Sequence, residues 1–325
     1  MGLVLAQFLA EHDRPVRLTG PFPETVAALA ASRRSPRLKG FVLPAAVEVI
    51  EDARAAVHGA TRLVNAIPTQ FIRPVWEGLR GALQPEATVA SVAKGIEVAT
   101  LKRPSDVLAE AGGLRGPIVK LSGPTIAAEL ARRLPATMIA ASTDHAAALD
   151  VQRTFSGRWL RIYTSDDPVG VELAGAVKNV IALAAGLVDG LGAGCNAKSA
   201  LLARGLAEIV RLGTALGARA ETFFGIAGVG DLATTCFSPE GRNRTCGERL
   251  GRGEPLEEIL ASTRATTGSV IEGVETARAI VAMAARHEVD MPIVTAVHAI
   301  LFEGLSPAQA IESLMGRELK RERVG

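Results

Sequence analysis

Over the first half of the chain the hydrophobic positions come in short runs rich in β-branched residues, separated by longer stretches where alanine and leucine recur at helical spacing. The runs Pro15–Leu18, Arg62–Ile67, Ala87–Val92, Ile118–Leu121, Ala136–Ile139 and Trp159–Tyr163 predict strands. Strands that alternate with helices predict a parallel sheet with helices on both faces. After the polar cluster Thr164–Pro168 the pattern changes to long helical stretches with almost no strand-like run. Residues 1–165 are therefore expected to form a sheet domain and residues 166–325 an all-α domain. One helix start is explicit. Ser306-Pro307-Ala308-Gln309 puts Ser at the N-cap, Pro at the first helical position and Gln at the third, a capping box.

The most apolar stretch, Val171 to Leu191, has the length of a membrane span, but Glu172, Lys178 and Asp189 interrupt it. Each would be costly in hydrocarbon, so the stretch reads as a buried helix. Near the N-terminus Glu11, His12 and Asp13 arrive too soon for a signal peptide. Composition adds little to this picture and excludes some partners. At 325 residues and 48% hydrophobic, the chain can bury the core of two domains. Its 36 Lys and Arg against 34 Asp and Glu form no long block of one sign, which argues against nucleic acid or an anionic membrane surface as the partner. The run Lys320–Arg323 reads as a solvated tail. Cys195, Cys236 and Cys246 form no C-x-x-C pair and suit a reducing cytosol, and the five histidines show no metal-ligand spacing, so no metal site is expected.

A sheet domain that binds a dinucleotide normally opens with a strand and a G-x-G-x-x-G turn, whose glycines let the pyrophosphate approach a helix N-terminus. Here Met1–Ala10 reads as the helix that should follow that turn, with Gly2 where the third glycine would fall. The first strand and the first two glycines are expected to be absent from this sequence. That strand is central in the usual order, so its absence should split the sheet and leave unpaired backbone on both sides of the gap. Two accounts stay open: the stated start lies downstream of the true one, or the chain is a relative that no longer binds dinucleotide.

Several residues carry candidate chemistry, each beside a plainer reading. Lys178 lies within the apolar helix Glu172–Gly186, where burial would lower its pKa toward the range useful for proton transfer, unless it snorkels from the polar side. Lys94 follows the apolar run Val89–Val92 at the end of a predicted strand, where open α/β sheets place ligands, or is simply solvated. Asp231, after Gly228-Val229-Gly230, is either a turn residue or a carboxylate able to hold and tune an ammonium group. Gly241-Arg242-Asn243 is an exposed basic loop or a phosphate grip, with Arg supplying a fork of donors and Asn neutral ones. Gly123-Pro124-Thr125 precedes the helical pattern Ile126–Arg133, so its backbone N–H groups would face an anionic ligand, with Thr125 as N-cap. Together these residues suit a small phosphorylated carbonyl compound.

Taken with Ser91-Val92-Ala93-Lys94-Gly95-Ile96-Glu97 and Leu121-Ser122-Gly123-Pro124-Thr125, these segments resemble the bacterial type of NAD(P)-dependent sn-glycerol-3-phosphate dehydrogenase, in the family's order from about Gly2 to the C-terminus. The resemblance implies a Rossmann-like doubly wound domain followed by an all-α domain like that of 6-phosphogluconate dehydrogenase. It implies a cytoplasmic oxidoreductase that moves a hydride between NAD(P)H and dihydroxyacetone phosphate, giving sn-glycerol 3-phosphate for glycerophospholipid synthesis. Lys178 would be the catalytic acid/base, with Asp231 and Lys94 beside it. Lys94, Gly123, Thr125, Lys178, Asp231, Gly241, Arg242 and Asn243 would contact substrate. Gly2, Lys94, Ala127, Arg242, Val270 and Glu272 would contact the cofactor.

Two departures from the family bear on this. Gly241 stands where the family has serine, which removes one hydroxyl contact. Pro21 stands where the family has a basic residue near the adenine ribose, and Glu24 lies close by. A 2′-phosphate would meet no cation there unless Arg33 or Arg34 reached back, so NADH is expected over NADPH. A related hydroxy-acid dehydrogenase and a non-catalytic homologue remain the alternatives. A homodimer is compatible with the family pattern, although no residue fixes the oligomeric state.

Overall fold

The computed structural model describes residues 1–268, 270–319 and 321–322, so Ser269 and the tail residues Lys320 and Arg323 lie outside the described residues. The chain divides into two compact units: Met1–Ala93 with Pro104–Pro168, and Lys94–Arg103 with Val169–Gly325. The second boundary falls in the polar cluster at Thr164–Pro168. The short segment Lys94–Arg103, which follows a strand of the first unit, groups instead with the helices of the second.

The first unit carries seven strands: β1 Val16–Leu18, β2 Val47–Val49, β3 Arg62–Asn65, β4 Thr88–Ser91, β5 Ile118–Ser122, β6 Ala136–Ala141 and β7 Leu160–Ser165. The sequence pattern missed β2, because Val47-Glu48-Val49 is too short to display alternation. The strands form two separate sheets. β1 pairs in parallel with β2, while β3 to β7 form a five-stranded sheet in chain order. The sheet is therefore divided between β1 and β3, as expected. Among the described residues β1 and β3 each have one unpaired edge.

Within the larger sheet β3, β4 and β5 run parallel, and so do β6 and β7, but β6 is antiparallel to β5, with Lys120 opposite Ala141 and Ser122 opposite Ile139. This corrects the expectation of an all-parallel sheet in one detail. The link between β5 and β6 contains only the five-residue helix Ala127–Ala131, so the chain turns back directly, and antiparallel neighbours need no crossover.

Residues alternate between two apolar layers. Ala90, Val119, Leu121, Met138, Ala140, Leu160 and Ile162 pack with Val4, Leu5 and Phe8 of the helix Gly2–Glu11 and with Val151 and Phe155 of the helix His145–Phe155. Leu63, Val89 and Ile118 face the other way, toward Ile72, Trp76, Leu79, Val107 and Leu108. On that second face a polar row crosses three strands in register: Asn65, Ser91 and Lys120. Asn65 Nδ2 donates to Ser91 Oγ at 3.2 Å, and Trp76 Nε1 donates to Asn65 Oδ1 at 3.1 Å.

The second unit is built around the helix Pro168–Gly190, whose residues from Gly170 to Val188 are all buried. By length and composition it could cross a membrane, but it is wholly enclosed by protein, as the interrupting charges predicted. Its tightest neighbour is the helix Arg242–Gly251. A Cβ on Gly186 would lie 1.9 Å from the Arg244 carbonyl oxygen, and one on Gly190 would lie 2.3 Å from that of Glu248. Reciprocally, a Cβ on Gly247 would lie 2.0 Å from the Leu183 oxygen and one on Gly251 would lie 2.7 Å from that of Leu187. The two helices thus touch backbone to backbone along paired Gly-x-x-x-Gly rows. Asp189 closes the contact, accepting from Lys198 and from Arg244, each at 2.7 Å. The capping box at Ser306 and Gln309 is present as read from sequence.

Candidate active site

Lys178 projects from the middle of the buried helix and is only 5% exposed. Such an ammonium needs partners. Its Nζ donates to Thr235 Oγ1 at 2.5 Å and lies 3.0 Å from Asp231 Oδ1. Asp231 Oδ2 lies 2.5 Å from Lys94 Nζ. Two lysines far apart in sequence therefore share one carboxylate.

Asp231 is the first residue of the helix Asp231–Phe237, which follows one π-helical turn, Ile226–Gly230. The Gly228-Val229-Gly230 segment is thus part of a helical approach and not a reverse turn. Gly228 allows it, since a Cβ there would lie 2.0 Å from the Phe223 carbonyl oxygen. One helical turn beyond Asp231 on the same face, Thr235 donates its hydroxyl to the Asp231 carbonyl at 2.7 Å and so presents its oxygen to Lys178.

Burial pushes the Lys178 pKa down, and the positive charge of Lys94 adds to that, while Asp231 pulls it up; the balance leaves it at about 8. Burial alone would raise the Asp231 carboxyl, but the two ammonium groups hold it below the ordinary aspartate value. The result is a lysine that is charged at neutral pH and can give up a proton within the physiological range. Cys236, close by, is no competing nucleophile, because burial pushes its thiol up to about 12.

A chain of amides extends the cluster. Asn179 Nδ2 donates to the Lys94 carbonyl at 3.1 Å. Asn243 Nδ2 donates to Asn179 Oδ1 at 3.0 Å, and Asn243 Oδ1 accepts from the Gly273 backbone N–H at 3.0 Å. Gly273 is required for this approach, since a Cβ there would lie 2.7 Å from the Asn179 carbonyl oxygen. Arg242 is exposed at the start of its helix and donates from Nη1 to the Val270 carbonyl at 3.0 Å. Glu272 opens the helix Glu272–Arg286 beside it in sequence. The departure at Gly241 also has a local reason. A Cβ there would already lie 3.0 Å from the Thr235 carbonyl oxygen and 3.2 Å from that of Ser238.

The structure thus brings Lys94, Lys178 and Asp231 together, links Asn243 and Gly273 to Lys94 through the amide chain, and joins Arg242 to Val270 by a separate hydrogen bond. The remaining candidates lie in the sheet unit. Gly2 opens the helix Gly2–Glu11, and a Cβ there would lie 3.1 Å from Ala66 Cβ, the close helix-to-strand packing that a third glycine serves. Gly123 has φ +142°, a conformation that favours glycine. Thr125 is not an N-cap: the helix begins at Ala127 behind Ile126, and the Thr125 hydroxyl donates to the Gly123 carbonyl at 3.0 Å. Sequence reasoning missed Thr235 and assigned no role to Asn179. The spacing Asp231 to Thr235, one helical turn, was the available signal for the first.

Comparison with known proteins gives the family. Residues 1–148 match the model of the NAD-dependent glycerol-3-phosphate dehydrogenase N-terminus and residues 167–312 that of its C-terminus. The chain belongs to this family. It is 45% identical to the glycerol-3-phosphate dehydrogenase [NAD(P)+] of Thermobifida fusca over 95% of this chain and 91% of that protein. It is 44% identical to the corresponding protein of Geobacillus kaustophilus over 99% and 93% of the two chains. The crystal structure of glycerol-3-phosphate dehydrogenase from Coxiella burnetii superposes with a TM-score of 0.92 at 33% identity, covering 97% of this chain and 96% of that one. Membership in this family settles the broad class: an NAD(P)-dependent oxidoreductase.

Proposed function

We propose that this chain reduces dihydroxyacetone phosphate to sn-glycerol 3-phosphate, a precursor for glycerophospholipids, in the cytosol. The observation that carries the reading is the pair of lysines on one buried carboxylate, with Lys178 held near pKa 8. The sheet unit fits a dinucleotide. Thr19 Oγ1, Thr69 Oγ1 and Ser122 Oγ are buried without a hydrogen-bond partner among the described residues, at or just beyond the carboxyl ends of β1, β3 and β5, where open α/β sheets take ligands. When bound, NAD(P)H supplies the hydride that reduces the carbonyl. Gly2, Ala127, Lys94, Arg242, Val270 and Glu272 are the residues we assign to holding it.

In this reading the chain's own residues do three things. Lys178, charged at neutral pH, gives its proton to the oxygen that becomes the alkoxide. Lys94 and the Thr235-oriented ammonium place positive charge where negative charge develops, and Asp231 holds both at fixed separation. Arg242, exposed and anchored on Val270, presents its remaining donors to the phosphate, while Asn243 holds Asn179 and through it the backbone of Lys94. Gly123 and Thr125 keep the substrate contacts implied by the family.

We infer that NADH is the preferred cofactor. Arg33 donates to the carbonyls of Leu43, Pro44 and Val47, so its guanidinium is engaged within its own loop. Pro21 and Glu24 are both exposed, and neither offers a cation to a 2′-phosphate.

The test is NADH oxidation driven by dihydroxyacetone phosphate. Lys178→Ala should lower kcat by about 10²- to 10⁴-fold with NADH affinity preserved. Near-normal turnover by that variant would remove Lys178 from the mechanism.

A further inference from the structure

Lys120 is a buried lysine of the sheet that the proposed chemistry does not use. It lies on the central strand β5 between Val119 and Leu121, both fully buried, and is itself 1% exposed. A lysine in such a place is costly, and an apolar side chain of similar volume would fill the same space without desolvating a charge. The ammonium must therefore do something that packing alone does not.

Its position shows what that is. Lys120 sits beside Ser91, the last residue of β4, and its side chain runs along the sheet so that Nζ donates to the carbonyl of Ala93, two residues further on. The next residue is Lys94. The Lys94 carbonyl accepts from Asn179 and its ammonium meets Asp231. Two consecutive carbonyls at the start of the Lys94 segment are thus each held by a side-chain donor, one from β5 and one from the buried helix.

We propose that Lys120 is a positioning residue for the reduction: by holding the Ala93 carbonyl it fixes the turn from which Lys94 reaches Asp231. The proposal rests on the assignment of Lys94, Asp231 and Lys178 made above. If the Ala93 carbonyl is released, Lys94 is no longer confined to Asp231. Less positive charge then bears on Lys178, and Asp231 is left to Lys178 alone. Both changes raise the Lys178 pKa.

The experiment compares the wild-type chain with Lys120→Met, which keeps volume and removes the donors, with Lys120→Gln, which keeps a neutral N–H donor, and with Lys94→Met. The readouts are kcat, the KM for each substrate and the pH dependence of kcat in the reducing direction. Lys120→Met should lower kcat roughly 10- to 100-fold, the range expected for misplacing a catalytic group by about an ångström. Its KM for NADH should stay within about twofold, and the alkaline limb of the profile should move to higher pH, as it should in Lys94→Met. Lys120→Gln should recover part of both changes. The proposal is overturned if Lys120→Met turns over like the wild type while Lys94→Met does not. It is also overturned if both Lys120 variants lose kcat with the alkaline limb unmoved, since loss of structure alone would do that. If Lys120→Met does not fold, Lys120→Gln decides on the same two readouts. An unaffected Lys94→Met would instead defeat the catalytic assignment on which the proposal rests.

Discussion

The two units of this chain solve the same packing problem with opposite margins. In the sheet unit, β1 and β2 stand apart from β3 to β7, and residues along the open edge stay accessible, Val64 of β3 being 38% exposed. In the helical unit, the helices Pro168–Gly190 and Arg242–Gly251 meet so closely that a single methyl group at any of four glycines would strike a backbone carbonyl. Lys178 and Asn179 ride on the first of these helices and Arg242 and Asn243 on the second. The charged cluster is therefore mounted where side-chain volume has been removed to bring backbones together. What can vary at a sheet edge cannot vary there.

The largest expected effect breaks the tight side of this contrast. Gly247→Val should destabilise the fold by at least about 3 kcal/mol, because a backbone carbonyl cannot yield as a side chain can. Val64→Thr on the open edge should cost under about 0.5 kcal/mol. Urea denaturation midpoints at constant m would measure both, and similar losses would mean that the glycine rows are not the tight contact described.

The next effect repairs the loose side. A chain lengthened at its N-terminus by a β-branched strand and a G-x-G turn would offer a partner to the edges of β1 and β3. Its thermal midpoint should rise by roughly 5 °C, about 2 kcal/mol for a chain of this size, and its NADH affinity should increase. Unchanged midpoint and affinity would show that the gap between the sheets takes no strand.

Much of this contrast was legible in the sequence. Six of the seven strands were visible as β-branched runs, and a divided sheet was expected because Met1–Ala10 reads as a helix. Lys178 declared itself as a charge in an apolar helix. Less visible was whatever depends on approach in space. Asn179 matters because its amide reaches Lys94, 85 residues away in the chain, and Thr235 because a hydroxyl one turn from Asp231 happens to face Lys178. The antiparallel junction at β6 escaped as well, since the Ala136–Ala141 run looks the same in either direction. Gly186, Gly190, Gly247 and Gly251 read as ordinary helix residues of low propensity until the partner backbone is seen.

A third expected effect sharpens the account of the cluster. Lys178 must be protonated to act as an acid, and burial lowers its pKa to about 8. In the reducing direction kcat should be flat at neutral pH and fall about tenfold per unit once pH passes 8. A profile flat to pH 10 would indicate a different proton donor. The smallest effect concerns the sheet unit again. Pro21→Arg should shift the ratio of kcat/KM for NADPH to that for NADH upward by about five- to tenfold, the scale of one new charge-assisted contact at an exposed site. A native preference for NADPH would sink the reading of Pro21 and, with Arg33 engaged by three carbonyls, point to Arg34.

Lys94 and Lys178 share the carboxylate of Asp231, and Arg242 adds positive charge at the exposed start of its helix. A phosphate monoester at neutral pH carries close to two negative charges, so in the function proposed above substrate capture draws opposite charges together. Capture should then slow as ionic strength rises, most steeply below about 0.1 M, where the screening length exceeds about 10 Å. Sulfate and inorganic phosphate, with the same charge and nearly the same shape as the substrate's headgroup, become competitors. A KM measured in phosphate buffer would describe the buffer as much as the enzyme.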